Sequence, residues 1–405
     1  MLSRETIEIV KSTAPVLADN AEVLTRHFYT RMFNHNPEVL PFFNQAHQRE
    51  GRQQKALAGA ICAYAANIDR LEVLGSAVEL IAQKHASLQI KPEHYPIVGE
   101  NLLASIREVL GEAATAPIMT AWADAYGFLA QIFKTREKQI YDQQLDAEGG
   151  WLDFKTFQVI RKEVESEVIT SFYFLPTDGS KVPSFKAGQF ITLRVPTADG
   201  KSTTMRNYSL SDKPGMPWFR ISVKREDGPS AQDPVGYVSN YLHKSITMGS
   251  TVELAAPCGE FVLDTQHAKG EPLVLLSAGV GVTPLMSMLG AALDTDAGRD
   301  ITLVHAVRNA QVQAFQASID ELAAKHPNLK VHYRYSEASS FTGNAPGRCS
   351  TGFVDSAFLE SLQLNPEAQY FICGPEAFLA GVQRALLKRD VSEKRIHFEF
   401  FGPRI

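Results

Sequence analysis

Residues 273–285 read LVLLSAGVGVTPL, an apolar run that meets a glycine-rich turn and then enters a helix-forming stretch. A short apolar run bounded by glycine predicts a buried strand. The glycines let the backbone approach a diphosphate closely, and free N–H groups at the N-terminus of the following helix favour negative charge. The stretch therefore predicts a dinucleotide site formed by Ser277, Ala278, Gly279, Val280, Gly281, Val282, Thr283 and Pro284.

Downstream of this turn, short apolar runs alternate with helical segments as far as the C-terminus. Such alternation predicts a parallel sheet, and we therefore expect an α/β domain over residues 270–405. Cys373-Gly374-Pro375 lies at the end of one run, where parallel sheets bind ligands. The runs that predict further strands are 301–307, 329–335, 370–373 and 396–400.

Upstream of the turn, residues 151–262 carry apolar side chains at every second position, as in 168–174 and 219–223. Period two is typical of antiparallel strands, and turns containing glycine or proline separate the runs. Because no long helix intervenes before Gly236, we predict a small antiparallel β-barrel.

The first third of the chain, from Glu5 to about Tyr141, has apolar residues spaced by three and four, which predicts helices throughout. We expect an all-α domain over residues 1–138, followed by a polar linker over 139–150. Proline or glycine is predicted to end the helical runs at Asn36-Pro37, Lys91-Pro92, Gly111 and Ala116-Pro117.

The composition excludes several classes of protein. The 405 residues carry 40 Lys and Arg against 45 Asp and Glu, and a net charge of -5 gives no reason to expect a nucleic-acid partner. The four cysteines form no Cys-x-x-Cys pair, so we expect reduced thiols in a cytoplasmic protein rather than a zinc cluster or disulfides. No apolar run reaches the ~20 residues of a transmembrane helix, and the N-terminus does not resemble a signal peptide.

His85 is the most informative residue of the helical third. Ile81 and Leu88 lie four residues before it and three after it, which places its imidazole on the apolar face of a helix. A histidine in this position is either a hydrogen-bonded core residue or an axial ligand of a haem iron. The groups that face the ring discriminate between the two.

Other helical segments direct polar groups toward the same interior. Gln53 shares a stripe with Leu57, so an amide lies where an aliphatic side chain is expected and needs a partner. Tyr29 and Phe43 add rings that ordinary core packing would explain individually. Glu137 continues an apolar stripe of the last helix, where it is either a carboxylate directed into the core or a solvated helix-end glutamate.

In the predicted barrel, the run Arg206-Asn207-Tyr208-Ser209 follows a predicted strand and precedes a turn, with Gly188-Gln189-Phe190 upstream of it. An arginine fork can bind a diphosphate, a tyrosine ring can stack on a flat ring, and a serine can donate to an oxygen. At the end of the chain, the run 399–403 (EFFGP) by itself predicts a last strand closed by Gly-Pro.

The run KHASLQIKPEHYPIVGE at 84–100, together with the residues described above, closely resembles bacterial flavohaemoglobins. The resemblance covers essentially the whole chain and implies a globin domain in which His85 is the axial ligand of the haem iron. It also implies that Tyr29 and Gln53 stabilise bound oxygen. The other residues that it assigns to the haem pocket and its proximal side are Phe43, Leu57, Lys84, Tyr95 and Glu137.

The second and third domains resemble the ferredoxin-NADP reductase superfamily, in which the Arg-x-Tyr-Ser run binds FAD and Cys-Gly-Pro marks the nicotinamide side. That family usually has tyrosine at the position of Phe190, which keeps the aromatic face here and loses the hydroxyl. The flavin contacts implied by the resemblance are Gln189, Phe190, Arg206, Asn207, Tyr208, Ser209, Glu399, Phe400, Phe401, Gly402 and Pro403. Those implied for NAD(P) are residues 277–284 with Cys373, Gly374 and Pro375.

The resemblance implies a monomer that holds haem b and FAD, takes electrons from NAD(P)H and passes them through FAD to the haem iron. The implied activity is nitric oxide dioxygenation, which converts NO and O2 to nitrate. Two alternatives are a globin that senses oxygen or NO and a reductase of quinones, flavins or ferric chelates. Arg308 follows the strand predicted at 301–307 and could bind a 2'-phosphate, so the choice between NADH and NADPH stays open.

Overall fold

The computed structural model describes residues 2–43, 51–228, 235–266, 270–337 and 348–401. These residues form a helical domain, an antiparallel barrel and a parallel α/β domain in that order, so the predicted fold class is confirmed. Within the described ranges, no helix combines the length and apolar character needed to cross a membrane.

The helical domain packs its amphipathic helices around one core that includes Leu24, Met32 and Trp122. Helix boundaries follow local chemistry: the Ser3 hydroxyl caps the first helix by accepting the Thr6 N–H, and Pro117 lies in the first turn of the last one. The helices are α1 Arg4–Asp19, α2 Ala21–His35, α3 Arg52–Ala66, α4 Gly75–Ser87, α5 His94–Leu110 and α6 Ala116–Asp146.

Helices end near the proline and glycine positions that the sequence predicts as helix ends. Helix α2 ends just before Asn36, and α5 ends where Gly111 adopts a φ of +56°, a backbone conformation that favours glycine. Helix α6 continues to Asp146, so most of the stretch 139–150, predicted as a polar linker, is helical. This long helix leads directly to the barrel.

The barrel is a six-stranded antiparallel sheet in the order β4-β3-β6-β1-β2-β5. Its edge strands meet: Leu210 pairs with Ile221, and the Ser211 N–H donates to the Arg220 carbonyl at 2.9 Å, which closes the sheet. Inward-facing aromatic and aliphatic residues fill the interior. The elements are β1 Lys155–Val164, β2 Ile169–Pro176, β3 Phe190–Pro196, β4 Thr203–Ser209, β5 Phe219–Lys224, α7 Tyr237–Ser245 and β6 Thr251–Leu254.

The C-terminal domain is a fully parallel sheet in the order β10-β9-β8-β7-β11-β12, with β7 near its centre. The predicted strands are all present, and a short further strand, β10, lies at one edge. The elements are β7 Leu273–Ala278, α8 Val282–Thr295, β8 Ile301–Val307, α9 Gln316–Lys325, β9 Leu329–Tyr335, β10 Cys349–Thr351, α10 Ser356–Ser361, β11 Gln369–Cys373, α11 Glu376–Leu387 and β12 Ile396–Glu399.

The helical domain and the barrel share an apolar cluster. Ala82 and Ala86 of α4 and Phe133 of α6 pack with Phe190 and Cys258 of the barrel domain. Because α4 also carries His85, the predicted haem-ligand helix lies directly against the strand predicted to contact the flavin.

Candidate functional site

The structure brings His85, Tyr95 and Glu137 together from α4, α5 and α6. His85 Nδ1 lies 2.7 Å from Glu137 Oε1, and the Tyr95 hydroxyl donates to the same oxygen at 2.5 Å. The Glu137 side chain is only 3% exposed, so these two donors compensate a buried carboxylate. The Tyr95 pKa is raised above its usual value, first by burial and then by its hydrogen bond to Glu137.

This arrangement suits an imidazole that coordinates a metal. A carboxylate accepts, so the proton of the neutral ring sits on Nδ1 and the lone pair of Nε2 is available. The His85 side chain is 33% exposed, and its ring packs at a tilt against Phe133 with centroids 5.6 Å apart. The residues present therefore fit a haem iron held through His85 Nε2.

Tyr29 lies in a second aromatic group of the helical domain. Its ring is 8% exposed and contacts Phe43 edge-on, with ring centroids 5.7 Å apart. Leu57, on α3, packs against the same cluster, and Gln53 lies half-buried one turn earlier on that helix. Burial raises the Tyr29 pKa above its usual value, so the phenol keeps its proton at neutral pH.

Lys84 precedes His85 on α4 and is half-buried. Its backbone carbonyl accepts from the Ser87 hydroxyl at 2.8 Å, near the end of the helix.

The run 206–209 forms the second half of β4, whereas the sequence pattern predicts only that it follows a strand. Arg206 donates through Nη1 to the Met205 carbonyl at 2.6 Å and the Thr204 hydroxyl at 3.2 Å. No carboxylate of the described residues pairs with this guanidinium, and burial lowers its pKa. A half-buried cation with free donors fits a diphosphate of FAD.

The neighbours of Arg206 have different surroundings in the barrel. Ser209 is the register partner of Phe190 on β3, so both side chains lie on one face of the sheet. The amide oxygen of Asn207 accepts from the Thr192 hydroxyl at 2.9 Å, and the Tyr208 ring packs against the barrel core. The Gln189 side chain accepts from the Lys186 N–H at 2.8 Å, which closes the turn before β3.

The first residue of the C-terminal run, Glu399, is the last residue of strand β12, and Phe400 and Phe401 follow the strand. Glu399 is the register partner of Cys373, and Phe400 packs against the core on that side. Phe401 is 45% exposed. The last two residues of the predicted flavin contacts, Gly402 and Pro403, lie outside the described residues.

The turn after β7 has the conformation that a diphosphate needs. Gly279 has a φ of +57°, and a Cβ built there would meet nothing within 4 Å, so the space beside this residue is open. A Cβ on Gly281 would lie 2.2 Å from the Cys373 carbonyl, so only glycine lets this turn approach the end of β11. These features fit the dinucleotide predicted from the sequence.

Several side chains of the predicted NAD(P) set stabilise the turn itself. The Ser277 hydroxyl is fully buried and donates to the Val304 carbonyl at 3.0 Å, and the Thr283 hydroxyl donates to the Val280 carbonyl at 2.9 Å. The Cys373 thiol is also fully buried. The remaining predicted members are Ala278, half-buried at the end of β7; Val282 and Pro284, buried at the start of α8; and Gly374 and Pro375, which follow β11.

His305 is a residue that the sequence analysis missed. It lies on β8 beneath the glycine turn, it is fully buried, and Nε2 is 3.2 Å from the Gly279 carbonyl. Nδ1 has no hydrogen-bond partner among the described residues, and burial lowers the His305 pKa to about 4. A histidine in the run 301–307, which is apolar apart from Thr302, was the available signal.

Each of the three domains of the structure matches a known protein family. The globin family matches residues 26–133, the oxidoreductase FAD-binding domain matches 156–263, and the oxidoreductase NAD-binding domain matches 275–384. Fold and site together define a haem- and flavin-containing oxidoreductase that uses a nicotinamide dinucleotide.

Full-length relatives make the assignment specific. A flavohemoprotein of Rhodopirellula baltica is 48% identical over 406 residues, which cover 100% of this chain and 98% of the relative. A flavohemoprotein of Bacillus subtilis is 43% identical over 405 residues, with 100% and 98% covered. The chain belongs to the flavohemoprotein family, and the resemblance predicted from the sequence is confirmed.

Solved structures give the same result. The flavohemoglobin of Malassezia yamatoensis, determined with bound FAD and heme, matches with a TM-score of 0.86 and 26% identity over 99% of this chain and 100% of that one. The FAD/NAD-binding domain of a nitric oxide dioxygenase from Vibrio cholerae is 33% identical, with a TM-score of 0.55, and covers 62% of this chain and 100% of that one. The predicted cofactors, haem, FAD and NAD, are confirmed by these matches and by the three family assignments.

Proposed function

We propose that this protein is a nitric oxide dioxygenase, which consumes NO, O2 and NAD(P)H and releases nitrate. The observation that carries the proposal is the contact of 2.7 Å between His85 Nδ1 and the buried Glu137 carboxylate. A carboxylate hydrogen-bonded to Nδ1 makes the imidazole a stronger electron donor to a metal bound at Nε2. A protein that only stores oxygen does not require this stronger donation. The name of the Vibrio cholerae relative adds support.

The cofactors supply the redox chemistry: when bound, FAD divides the hydride of NAD(P)H into single electrons, and the haem iron is where O2 and NO react. The protein's part on the proximal side is to orient His85. Glu137 holds the ring through Nδ1, and the Tyr95 hydroxyl holds Glu137 in turn. Tyr95 and Glu137 therefore act by positioning the ligand, and Lys84 is proposed to line the same side.

In the aromatic group around Phe43, the proposed role of Tyr29 is to donate a hydrogen bond to oxygen. The raised Tyr29 pKa keeps the phenolic proton in place at neutral pH. Gln53 is proposed to assist from α3, while Phe43 and Leu57 exclude water from the pocket. A dry environment strengthens such hydrogen bonds.

In the reductase half, the proposed roles of the residues follow from the geometry of the FAD and NAD(P)H sites. Arg206 holds the FAD diphosphate, and Ser209, on the face of the sheet that carries Phe190, donates to a flavin or phosphate oxygen. Tyr208 and Phe190 offer ring faces, and the turn at Gly279 binds the NAD(P)H diphosphate. Residues 399–403 are proposed to complete the flavin site. Gln189 and Asn207 are proposed to shape it through their hydrogen bonds to Lys186 and Thr192.

The test is to measure NO, nitrate, nitrite and NAD(P)H in one vessel with oxygen present. We expect two NO consumed for each NAD(P)H, since one hydride carries two electrons and each turnover at the haem uses one. A chain that begins near Gly150 is expected to keep FAD and ferricyanide reduction but to lose NO consumption. Nitrite as the main product, no sustained turnover, or turnover unaffected by the truncation would contradict the proposal in favour of the sensor or the plain reductase.

We also propose a cytoplasmic location and a monomeric state. The four cysteines are free, as expected in a reducing compartment.

A further inference from the structure

Gln83 connects the helix of the haem ligand to the barrel domain. It lies on α4 two residues before His85 and is 8% exposed. Its Oε1 accepts the backbone N–H of Gly259 at 3.0 Å, a buried hydrogen bond between residues 176 positions apart in the chain. A buried amide that bonds across a domain boundary restrains how the two domains sit together.

The orientation of the Gln83 amide is set from within the helical domain. Gln83 Nε2 donates to Glu79 Oε1 at 2.8 Å, one turn earlier on α4. Glu79 is in turn held by a two-pronged ion pair with Arg136 of α6, with N–O distances of 2.6 and 2.9 Å. Since Nε2 is engaged by a carboxylate, Oε1 is directed toward Gly259.

On the barrel side, Gly259 is tied to the strand that carries Phe190. Phe190 and Cys258 exchange backbone hydrogen bonds of 2.8 and 2.9 Å. Gly259 has a φ of +124°, and a Cβ there would lie 3.1 Å from the Phe190 ring. The Gly259 amide therefore has little freedom to move apart from Phe190.

We propose that Gln83 is a positioning residue for electron transfer: its hydrogen bond to Gly259 holds the His85 helix against the β3 strand of the flavin domain. The proposal rests on the haem and FAD sites assigned above and does not depend on the reaction with NO. A second contact also holds the helical domain against the barrel domain. Gln144 Nε2 on α6 lies 3.2 Å from the Pro257 carbonyl and 3.0 Å from Cys258 Sγ.

The test uses the holoprotein of a Gln83→Met variant, which keeps the side-chain volume and removes the acceptor. The protein is mixed with excess NADH without oxygen or NO, and flavin and haem reduction are followed separately. We expect flavin reduction by NADH to be unchanged and haem reduction to slow by about fivefold, the effect of losing one buried hydrogen bond that holds the docked geometry.

A second readout is independent of electron transfer. Hydrogen exchange of the Gly259 amide, measured by mass spectrometry or NMR, is expected to speed up by a similar factor in Gln83→Met. The matched control is Gln131→Met on α6, whose exposed amide donates to Thr135 of the same helix. It is expected to leave flavin reduction, haem reduction and Gly259 exchange unchanged.

Gln144→Met provides a second test if Gln83→Met does not fold, with a smaller slowing in the same direction. Unchanged haem reduction in a folded variant that exchanges Gly259 faster would overturn the positioning role. Unchanged Gly259 exchange would overturn the contact itself. Equal slowing of flavin and haem reduction would also contradict the proposal, since it would indicate general damage. Because NO is absent from the experiment, a failed dioxygenase proposal would not affect these outcomes.

Discussion

His85 in the helical domain and His305 in the dinucleotide domain each contact a hydrogen-bond partner through one ring nitrogen. The partner is a carboxylate for His85 and a backbone carbonyl for His305. A buried carboxylate holds Nδ1 of His85, and the ring remains 33% exposed. A backbone carbonyl lies beside Nε2 of His305, and that residue is fully buried. The partner and the exposure together determine what each imidazole can do.

For His85, the charged partner increases electron donation and the exposed edge is available for coordination. For His305, burial without a charged partner favours the neutral ring and lowers the pKa to about 4. His85 Nε2 therefore stays available for the proposed haem iron, whereas His305 is a neutral donor to the carbonyl of Gly279.

The largest difference is expected from alanine substitution of each histidine. His85→Ala should lose haem retention and, with it, NO turnover, while ferricyanide reduction by NAD(P)H stays nearly intact. His305→Ala should retain haem, because the residue lies in the other half of the chain. Visible absorption spectra of the two purified variants check both outcomes. A normal haem spectrum in His85→Ala would refute its assignment as the ligand.

Glu137→Gln tests whether the charge of the partner matters for His85. The amide keeps an acceptor oxygen but removes the negative charge, so we expect haem dissociation to increase by about 10- to 100-fold, the range for partners of metal ligands. Transfer of haem to an excess of apomyoglobin measures this rate. The control is Glu22→Gln, which removes an exposed carboxylate of the same domain whose ion-pair partner, Arg26, lies on the same helix. Equal rates in wild type and Glu137→Gln would show that its charge does not act through His85.

His305→Gln tests the contribution of a buried neutral histidine to pH dependence. In the unfolded wild-type chain, His305 binds a proton below about pH 6.5, whereas in the folded protein it binds one only below about pH 4. The free energy of unfolding therefore falls as the pH is lowered from about 6.5 to about 4. Between pH 7 and pH 5 we expect wild type to lose about 2 kcal/mol more unfolding free energy than His305→Gln. Urea unfolding at both pH values measures the difference. Parallel losses in the two proteins would contradict the assigned cause.

Tyr29→Phe is expected to give the smallest effect, because it removes one hydroxyl and keeps the ring packing. Haem and flavin content should be normal, while oxygen dissociates about fivefold faster, as expected for the loss of one hydrogen bond of about 1 kcal/mol net. Stopped-flow oxygen dissociation checks the rate. A rate equal to that of wild type would remove Tyr29 from the proposed distal role.

Residue patterns were sufficient where a side chain broke a local periodicity. Glu137 interrupts an apolar stripe, and His85 lies between apolar neighbours, so the pattern made both candidates and left their surroundings open. Gln83 gave no such signal, because its partner Gly259 is 176 positions away. Edge strand β10 was also missed, since three residues are too few to show a period.

The sequence by itself determined the three domains, their order and their fold classes, because hydrophobic periodicity and the positions of glycine and proline are local properties of the chain. It also determined, through the resemblance, the family and its cofactors. Only the tertiary structure decided that Glu137 and Tyr95 meet at His85, that His305 supports Gly279, and that Gln83 bonds to Gly259. These contacts join residues from different elements, and their distances depend on how those elements pack.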